Sequence, residues 1–553
     1  MVTQLFEKHE PLLLEAIKAL HDRGYFTPYP ESPKMYDATA AEIAKEYVPT
    51  LLNSDFGELL QTSTTNEFVG EEVSPYLQVG LGIKYPKPDV SKMITLSEAA
   101  MENWKSISIK DRAGILIETL ERIRVRFFDI AYATMHTTGQ SFMMSFQASG
   151  PHSNDRALEA VAVAYAELTK YIDHTTWVKP MGKFDLSIKK NWKPIPKGIN
   201  LTIGCSTFPI WNSVPAIFAS LMTGNSCIVK PHPKAILPIA IVVGEMQKVL
   251  ASYNIDSNLI QLAADTTSSP ITKEFAEQEK IKLIDFTGSS VFGNYVEQLK
   301  GKTVFTEKAG VNSIIIDSVH DMASVASNIA FSACLYSGQM CTAPQNIFIP
   351  EKGISTSNGV INYEECVESI VRAVDDLVNN PKAGAATLGA IQTDETTKRI
   401  KAVEQRGKRL LLASKHINNE EFADARTLSP SIIEVDASNS DIYSEECFGP
   451  VLFIIKTSDT NHSIELAMGI ASEKGALTCA AYCTDEMMCK KIEQKMNSIF
   501  VPVSFNFTGA AFINSHAAFS DLHVTGGNAA GNASLTNTEY VAKRFVWVGN
   551  RYC

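Results

Sequence analysis

Residues with chemical potential cluster at turns, and the sharpest case is Cys341 in Phe331-Ser-Ala-Cys-Leu-Tyr-Ser-Gly-Gln-Met-Cys341-Thr-Ala-Pro344. An apolar run leads into the small turn Ser337-Gly338-Gln339, the cysteine follows, and Pro344 keeps a long helix from continuing. A glycine at that place lets the backbone come close to something else. The placement suits a nucleophilic thiol. Most cysteines in a chain that has ten are structural, so Cys341 acquires meaning only through partners.

Five other stretches could supply them. Asn212, in Phe208-Pro-Ile-Trp-Asn212-Ser-Val-Pro215, carries an amide donor of the kind that holds a developing oxyanion. Glu307, in Val304-Phe-Thr-Glu307-Lys-Ala-Gly310, is a carboxylate at a strand end and can act as a general base if its pKa is tuned. Lys230, in Val229-Lys230-Pro-His-Pro233, could hydrogen-bond a ribose. Gly288 and Ser289, in Phe286-Thr-Gly288-Ser289-Ser-Val-Phe-Gly293, follow a strand and open a helix, where backbone N–H groups can meet a phosphate. Glu446 and Phe448 lie in the acidic turn Ser444-Glu-Glu446-Cys-Phe448-Gly-Pro450. Taken singly, each has an ordinary explanation as a cap, a turn or a solvated charge.

The elements that must position these groups alternate. Strands are predicted at 199–203, 227–230, 259–262 and 281–286, with helices at 215–222, about 236–250 and about 271–279. That alternation implies a parallel sheet with helices on both faces and ligands beyond the carboxyl ends of the strands. After about 310 it restarts: a strand at 314–316, a helix capped by Asp321 and running to about 335, strands at 346–349, 431–435 and 451–455, and helices at 365–379 and 462–473. Residues 95–175 are helical, with Ile115, Leu116, Leu120, Ile123 and Phe127 at helical spacing, a second helix at about 155–171, and Thr137-Thr-Gly-Gln140 as a turn between them. Residues 1–95 read as a helical and irregular lead-in with no assignable chemistry. A β-hairpin at 181–198, with prolines at its edge, and an apolar strand at 545–548 each need a partner.

With 553 residues the chain has room for several cores. A net charge of −11 argues against nucleic acid and anionic membrane as partners. The absence of CxxC, and of any Cys/His cluster with zinc spacing, points to reduced thiols, a cytoplasmic location and no metal. Glu7, Lys8, His9 and Glu10 interrupt any signal-like start, and no uncharged apolar run is long enough to span a bilayer.

Together, the order and spacing of the six motifs resemble the aldehyde dehydrogenase superfamily. Trp-Asn (after Ile210, where the family has Pro), Lys-Pro, Thr-Gly-Ser with a glycine five residues on, a Glu opening a turn, Gly-Gln-x-Cys and Glu-x-Phe-Gly-Pro follow one another as in that family, and Cys341 comes 34 residues after Glu307. The resemblance covers roughly 95–550. It implies an α/β fold with a Rossmann-type dinucleotide-binding domain, a second α/β catalytic domain and a small β oligomerisation element. On that reading 1–180 is the lead-in plus the first part of the dinucleotide-binding domain, 181–198 the oligomerisation hairpin, 199–309 the rest of that domain, 310–515 the catalytic domain and 516–553 the tail with its oligomerisation strand. It also implies Cys341 as nucleophile, Glu307 as base, Asn212 and the Cys341 N–H as oxyanion hole, and Lys230, Pro233, Gly288, Ser289, Gly293, Glu446 and Phe448 around the dinucleotide.

Two departures stand out. Glu307-Lys-Ala-Gly-Val replaces the usual Glu-Leu-Gly-Gly-Lys, and Ala518-Phe-Ser-Asp-Leu-His-Val-Thr-Gly-Gly-Asn-Ala replaces the usual C-terminal motif, so the substrate-side loop departs from the family pattern. With the long lead-in, the rewritten tail is similar to the PaaN-type, phenylacetate-degradation branch. That resemblance implies a semialdehyde from ring opening, carried on CoA, as substrate. NAD-selective members place an acid where this chain has Pro233, flanked by His232 and Lys234, so NADP is expected to be accepted and preferred, with NAD possible. A homodimer or homotetramer is expected. The alternatives are a CoA-acylating relative, which commonly lacks the Glu, and a scaffold that keeps the fold without the activity.

Overall fold

The computed structural model describes residues 2–509, 511–512, 518–519, 523 and 525–553. Its first large sheet has the strand order Ile260–Leu262, Cys227–Lys230, Ile199–Ile203, Ile281–Gly288, Thr303–Lys308, with every pair parallel. Ile199–Ile203 and Cys227–Lys230 are buried along their whole length, as near-continuous apolar runs in a doubly covered parallel sheet must be. Helices Val214–Met222 and Leu237–Ser252, each with a proline in the first turn, cross between these strands.

The second sheet has the order Arg409–Leu412, Ser431–Asp436, Val451–Thr457, Asn346–Pro350, Ser313–Ile316, Cys479–Tyr482, Val503–Phe505, and only Arg409–Leu412 runs antiparallel. Asp321 caps helix Met322–Cys334 by accepting from Ala323 N and Ser324 N, as its position predicts. The strands at Arg409–Leu412, Cys479–Tyr482 and Val503–Phe505 were not expected. Cys-Ala-Ala-Tyr has no β-branched residue, and it becomes a strand because burial between two neighbours outweighs local propensity. The α/β class and the two successive parallel units agree with the sequence reading.

The small antiparallel sheet needs a correction of boundaries. Its hairpin runs from His174–Pro180 to Asp185–Pro196, so 181–184 is the turn rather than the start of the first strand. The tail strand is longer than expected, Phe545–Tyr552, and pairs antiparallel with Asp185–Pro196 over its whole length. Each segment that needed a partner therefore finds the other in the same chain. The helix expected at about 155 begins earlier, at Pro151 just after Gly150.

The lead-in buttresses the first sheet. Helix Val2–Asp22 lies against Ile109–Val125 and Pro151–Thr169, and an unexpected antiparallel pair, Thr64–Val69 with Tyr85–Pro88, follows. The Gln61 side chain bonds both N and O of Leu262 and so extends the edge strand. Buried Glu72 accepts from Ile236 N and Leu237 N at the start of helix Leu237–Ser252.

Candidate active site

The loop that carries Cys341 is a chain of close backbone approaches. After helix Met322–Cys334, Tyr336, Ser337 and Gly338 all take positive φ, +51°, +48° and +62°. Tyr336 OH donates to Thr138 O (2.6 Å) and Ser337 Oγ to Leu388 O (3.0 Å). A Cβ on Gly338 would lie 2.5 Å from Gly449 O. The close approach that the glycine implied in the sequence is thus to the Phe448-Gly449-Pro450 turn. Asn312, which the sequence reading passed over, secures the other side: its amide donates to Cys341 O (2.8 Å) and Ala343 O (3.1 Å), and its oxygen accepts from Leu477 N and Thr478 N.

Glu307 comes from the edge strand Thr303–Lys308 of the first sheet, and Asn212 from the loop after Ile199–Ile203. The two meet: Asn212 Nδ2 donates to Glu307 Oε2 at 3.0 Å, which leaves its second amide hydrogen available. Asn212 Oδ1 accepts from Cys205 Sγ at 3.5 Å. The third group had not been singled out. His523 Nε2 lies 3.3 Å from Cys341 Sγ and 3.0 Å from Glu307 Oε1, and its side chain is 7% exposed. Its ring packs edge to face on Trp211, with centroids 4.4 Å apart.

The tail carries this histidine to Glu307. Gly531 pairs with Glu307 across an isolated bridge, Lys308 N donates to Ala530 O, and Asn532 N donates to Thr306 O. The rewritten Gly/Asn/Ala-rich tail was the signal in the sequence, but nothing there tells which of its residues points inward.

Burial pushes the Cys341 thiol well above its ordinary value, and the Glu307 carboxylate beside it adds to the rise. Burial also pushes Glu307 up, but the His523 charge, hydrogen bonds from His523 and Cys341, and the Arg156 charge outweigh it and hold the carboxyl below its ordinary value. The site therefore rests as a thiol beside a carboxylate. Glu307, Cys341 and His523 form a set whose reactive atoms lie within 4.8 Å of one another. The 3.0 Å between Nε2 and Oε1 is a hydrogen-bond distance, shorter than the about 3.3 Å that two ligands of a tetrahedral zinc would keep, so the geometry suits a shared proton better than a cation.

An open cleft of about 620 Å³ leads to Cys341. Met144, Phe208, Trp211, Met340 and Phe512 give it apolar walls, and Gln147 and His152 add polar groups.

The dinucleotide-side residues occupy the carboxyl ends of the first sheet and the facing turn. Lys230 is buried, 2.6 Å from Asp265 Oδ1. Pro233 is half-buried. Gly288 ends its strand, Ser289 caps helix Ser290–Glu297 by accepting from Phe292 N, and Gly293 leaves room for the Lys308 side chain. Phe448 O accepts from Arg399 Nη1. Glu446 accepts from the Gly310 backbone, and burial pushes it up to about 7. Glu446 is thus a buried carboxyl that still has acceptor capacity.

The expectation about positive charge near Pro233 needs correction. Burial, then Lys230 and Lys234, hold His232 down to about 4, so it is neutral at pH 7. Its Nδ1 accepts from Lys234 N. Lys234 Nζ is 3.5 Å from Glu395. Asp265, from the neighbouring strand end, places an acid at Lys230 that no spacing rule along the chain could reveal.

Similarity searches agree with this architecture. A sequence model described as "Aldehyde dehydrogenase family" matches residues 78–537. The crystal structure of an NAD-dependent aldehyde dehydrogenase from Burkholderia multivorans superposes with a TM-score of 0.96 at 42% identity, covering 99% of this chain and 98% of that one. Alpha-ketoglutaric semialdehyde dehydrogenase of Bacillus subtilis (strain 168) is 23% identical over 397 residues, 70% of this chain and 75% of that protein. 1-Pyrroline-5-carboxylate dehydrogenase from Thermus, solved with bound NAD, has the same fold, with a TM-score of 0.74 at 17% identity over 96% of this chain and 99% of that one. With the family match spanning most of its length, the cysteine and amide lining one cleft and the carboxylate bonded to that amide, the chain belongs to the aldehyde dehydrogenase family, as an NAD(P)-dependent aldehyde oxidoreductase.

Proposed function

We propose that the chain oxidises an aldehyde to a free acid through a thiohemiacetal and a thioester on Cys341. The observation that carries this reading is the convergence of Cys341, Glu307 and Asn212 from three separate elements. Sulfur attacks the carbonyl carbon, and the π pair becomes an alkoxide. Asn212 Nδ2 and the Cys341 N–H hold that alkoxide, each donor contributing about 3–4 kcal/mol in the transition state. Hydride then leaves to the nicotinamide. Glu307 removes a proton from the water that hydrolyses the thioester.

The presence of Glu307, 3.0 Å from Asn212, favours water over CoA as the acyl acceptor. The assembled site weighs against a mere scaffold. For substrate, the apolar cleft suits an aldehyde on an aliphatic or aromatic-derived chain. A CoA-linked semialdehyde from ring opening in phenylacetate degradation is the substrate proposed on the tail and lead-in.

On the dinucleotide side, NADP is accepted beside NAD. Lys234 remains as the cation for a 2′-phosphate, while Asp265 moderates the preference. An NAD preference of tenfold or more in kcat/KM refutes this. One face of the three-stranded sheet exposes Val178, Ile195, Val546 and Val548, a surface suited to a homodimer or dimer of dimers in the cytoplasm. A monomeric mass at micromolar concentration refutes that.

The deciding experiment is a panel of aldehydes, CoA-linked semialdehydes included, followed by reduced-nicotinamide absorbance and product mass. Cys341→Ala abolishes turnover. Glu307→Gln forms one equivalent of reduced dinucleotide and stalls as the thioester; normal steady-state turnover by that variant means that another base exists.

A further inference from the structure

The resting site poses a question that the roles above leave open. The Cys341 thiol is protonated, Asn212 is a donor, and Glu307 must be free to take a proton from water later. Among the described residues, His523 Nε2 lies within reach of both sulfur and carboxylate, at 3.3 Å and 3.0 Å. We propose that His523 is a third catalytic residue, which takes the Cys341 proton as sulfur attacks and returns it when sulfur leaves. This rests on the roles proposed for Cys341 and Glu307.

The step balances. At rest the Nε2–H tautomer donates to Glu307; in the Nδ1–H tautomer, the form that attack uses, His523 presents the Nε2 lone pair to the S–H group. As the S–C bond forms, the S–H bonding pair stays on sulfur, the proton moves to Nε2, and the carbonyl π pair moves to oxygen. The new Nε2–H then donates to Glu307 Oε1, so the imidazolium forms against a carboxylate already in place. After hydride transfer and addition of water, the tetrahedral adduct expels sulfur. The Nε2 proton goes to that sulfur, and Glu307 holds the proton taken from water.

The ring is built for this task. It is nearly fully buried, it packs edge to face on Trp211, and the Gly531–Glu307 bridge anchors the tail behind it. The titratable and charged groups facing the cluster are Cys341 and Glu307 in contact, and Cys205, Glu446 and Arg156 around them. Arg156 is itself committed to Glu159 at 2.9 Å and stacked over the Trp211 ring. A purely structural histidine would need one partner; this nitrogen faces two, both of which change proton count in the reaction. A distance of 3.0 Å to Oε1 suits a proton in flight better than a bound cation.

The test reads the thiol directly, without turnover. The full-length enzyme is treated with iodoacetamide from pH 5.5 to 10, and carbamidomethylation of the Cys341 peptide is followed by mass spectrometry, in wild type, His523→Ala and His523→Gln. Wild type is expected to react with a limb below the ordinary thiol range. Both variants should lose that limb and react at least tenfold more slowly at pH 7, and added imidazole should restore rate to the alanine variant. The glutamine keeps an N–H for Glu307 but cannot take a proton. A glutamine variant with the wild-type profile therefore overturns the catalytic role and leaves a positioning one. Circular dichroism identifies a variant that fails to fold, and the other then decides. If wild-type Cys341 is not selectively alkylated, and Cys341→Ala still turns over, the underlying roles fail; if those hold while both variants match wild type, only the inference about His523 falls.

Discussion

Gly338→Ala probes the join between nucleophile and cofactor without touching a reactive group. The alanine Cβ would lie 2.5 Å from Gly449 O and 2.9 Å from its carbonyl carbon, where ordinary contact begins at 3.4 Å. The neighbour is backbone followed by Pro450, so no flexible side chain can give way. The two turns must part by roughly 1 Å, a displacement that commonly costs about 10²-fold in rate when it separates reacting groups. The φ of +62° adds about 1–2 kcal/mol of strain for a residue with a Cβ. Three residues from Gly338 lies Cys341, and three residues before Gly449 lies Glu446, so the sulfur and the expected dinucleotide contact move apart together. The expected result is a fall of about 10²-fold in kcat/KM, equivalent to about 2.7 kcal/mol of lost transition-state stabilisation, with a raised KM for the dinucleotide. Steady-state kinetics with both substrates varied measures this, with a thermal melt as control for folding. Gly57→Ala, at a position with nothing within 4 Å of the added carbon, should be silent. If Gly338→Ala stays within twofold of wild type in both constants, the turn-on-turn contact does not set the site.

Burial holds Glu446 protonated up to about pH 7, and the anion is the better acceptor for ribose hydroxyls by about 1 kcal/mol. Dinucleotide affinity should therefore rise roughly three- to fourfold between pH 6 and 8; a flat binding curve in wild type, or the same slope in Glu446→Gln, contradicts this. Asn312→Ala removes two donors and one acceptor from the nucleophile loop, which should cost about 2–4 kcal/mol of local stability and lower both melting temperature and kcat; loss of neither leaves Asn312 without the role given it. Arg544 binds Asp285 through two hydrogen bonds, 2.8 and 2.6 Å, with the arginine fully buried. Arg544→Ala strands the carboxylate, a loss of about 3–5 kcal/mol, so the tail should become sensitive to protease where the wild type resists.

The legible parts of this molecule are those whose physics is local. Proline at the first turn of a helix, Asp321 ahead of Met322–Cys334, and buried apolar runs such as Ile199–Ile203 each carry their cause within a few residues. So do the motif turns, because a glycine or proline announces itself. What was not legible depends on neighbours distant in sequence. Asp265 reaches Lys230 only because strands Ile260–Leu262 and Cys227–Lys230 lie side by side. Cys479–Tyr482 is a strand only because Ser313–Ile316 and Val503–Phe505 flank it. His523 sits in a tail with no period to read, and its place is set by backbone bonds to Thr306 and Lys308 more than two hundred residues earlier.

The same reasoning bears on how sulfur and the Asn212 amide keep their distance, since Asn212 follows a strand of the first sheet and Cys341 precedes a strand of the second. Thr137-Thr-Gly-Gln140, which reads as a mere turn in the sequence, is the strut between them. Gln140 Nε2 donates to Thr207 O, just upstream of Asn212. Ala390 N donates to Gly139 O, and a Cβ on Gly139 would lie 2.2 Å from Ala390 O, so the two turns meet glycine to backbone. Gln392 Nε2 donates to both Thr137 O and Ser206 O, while its N–H donates to Gln339 Oε1, two residues from Cys341. Gln339 Nε2 closes the circuit on Ala390 O. Every link is a short amide-to-backbone bond with little slack, and most are buried. The oxyanion amide and the nucleophile are therefore held through one network rather than by two lobes drifting independently. A loosened strut should lower kcat while leaving the thiol's own proton chemistry at His523 intact.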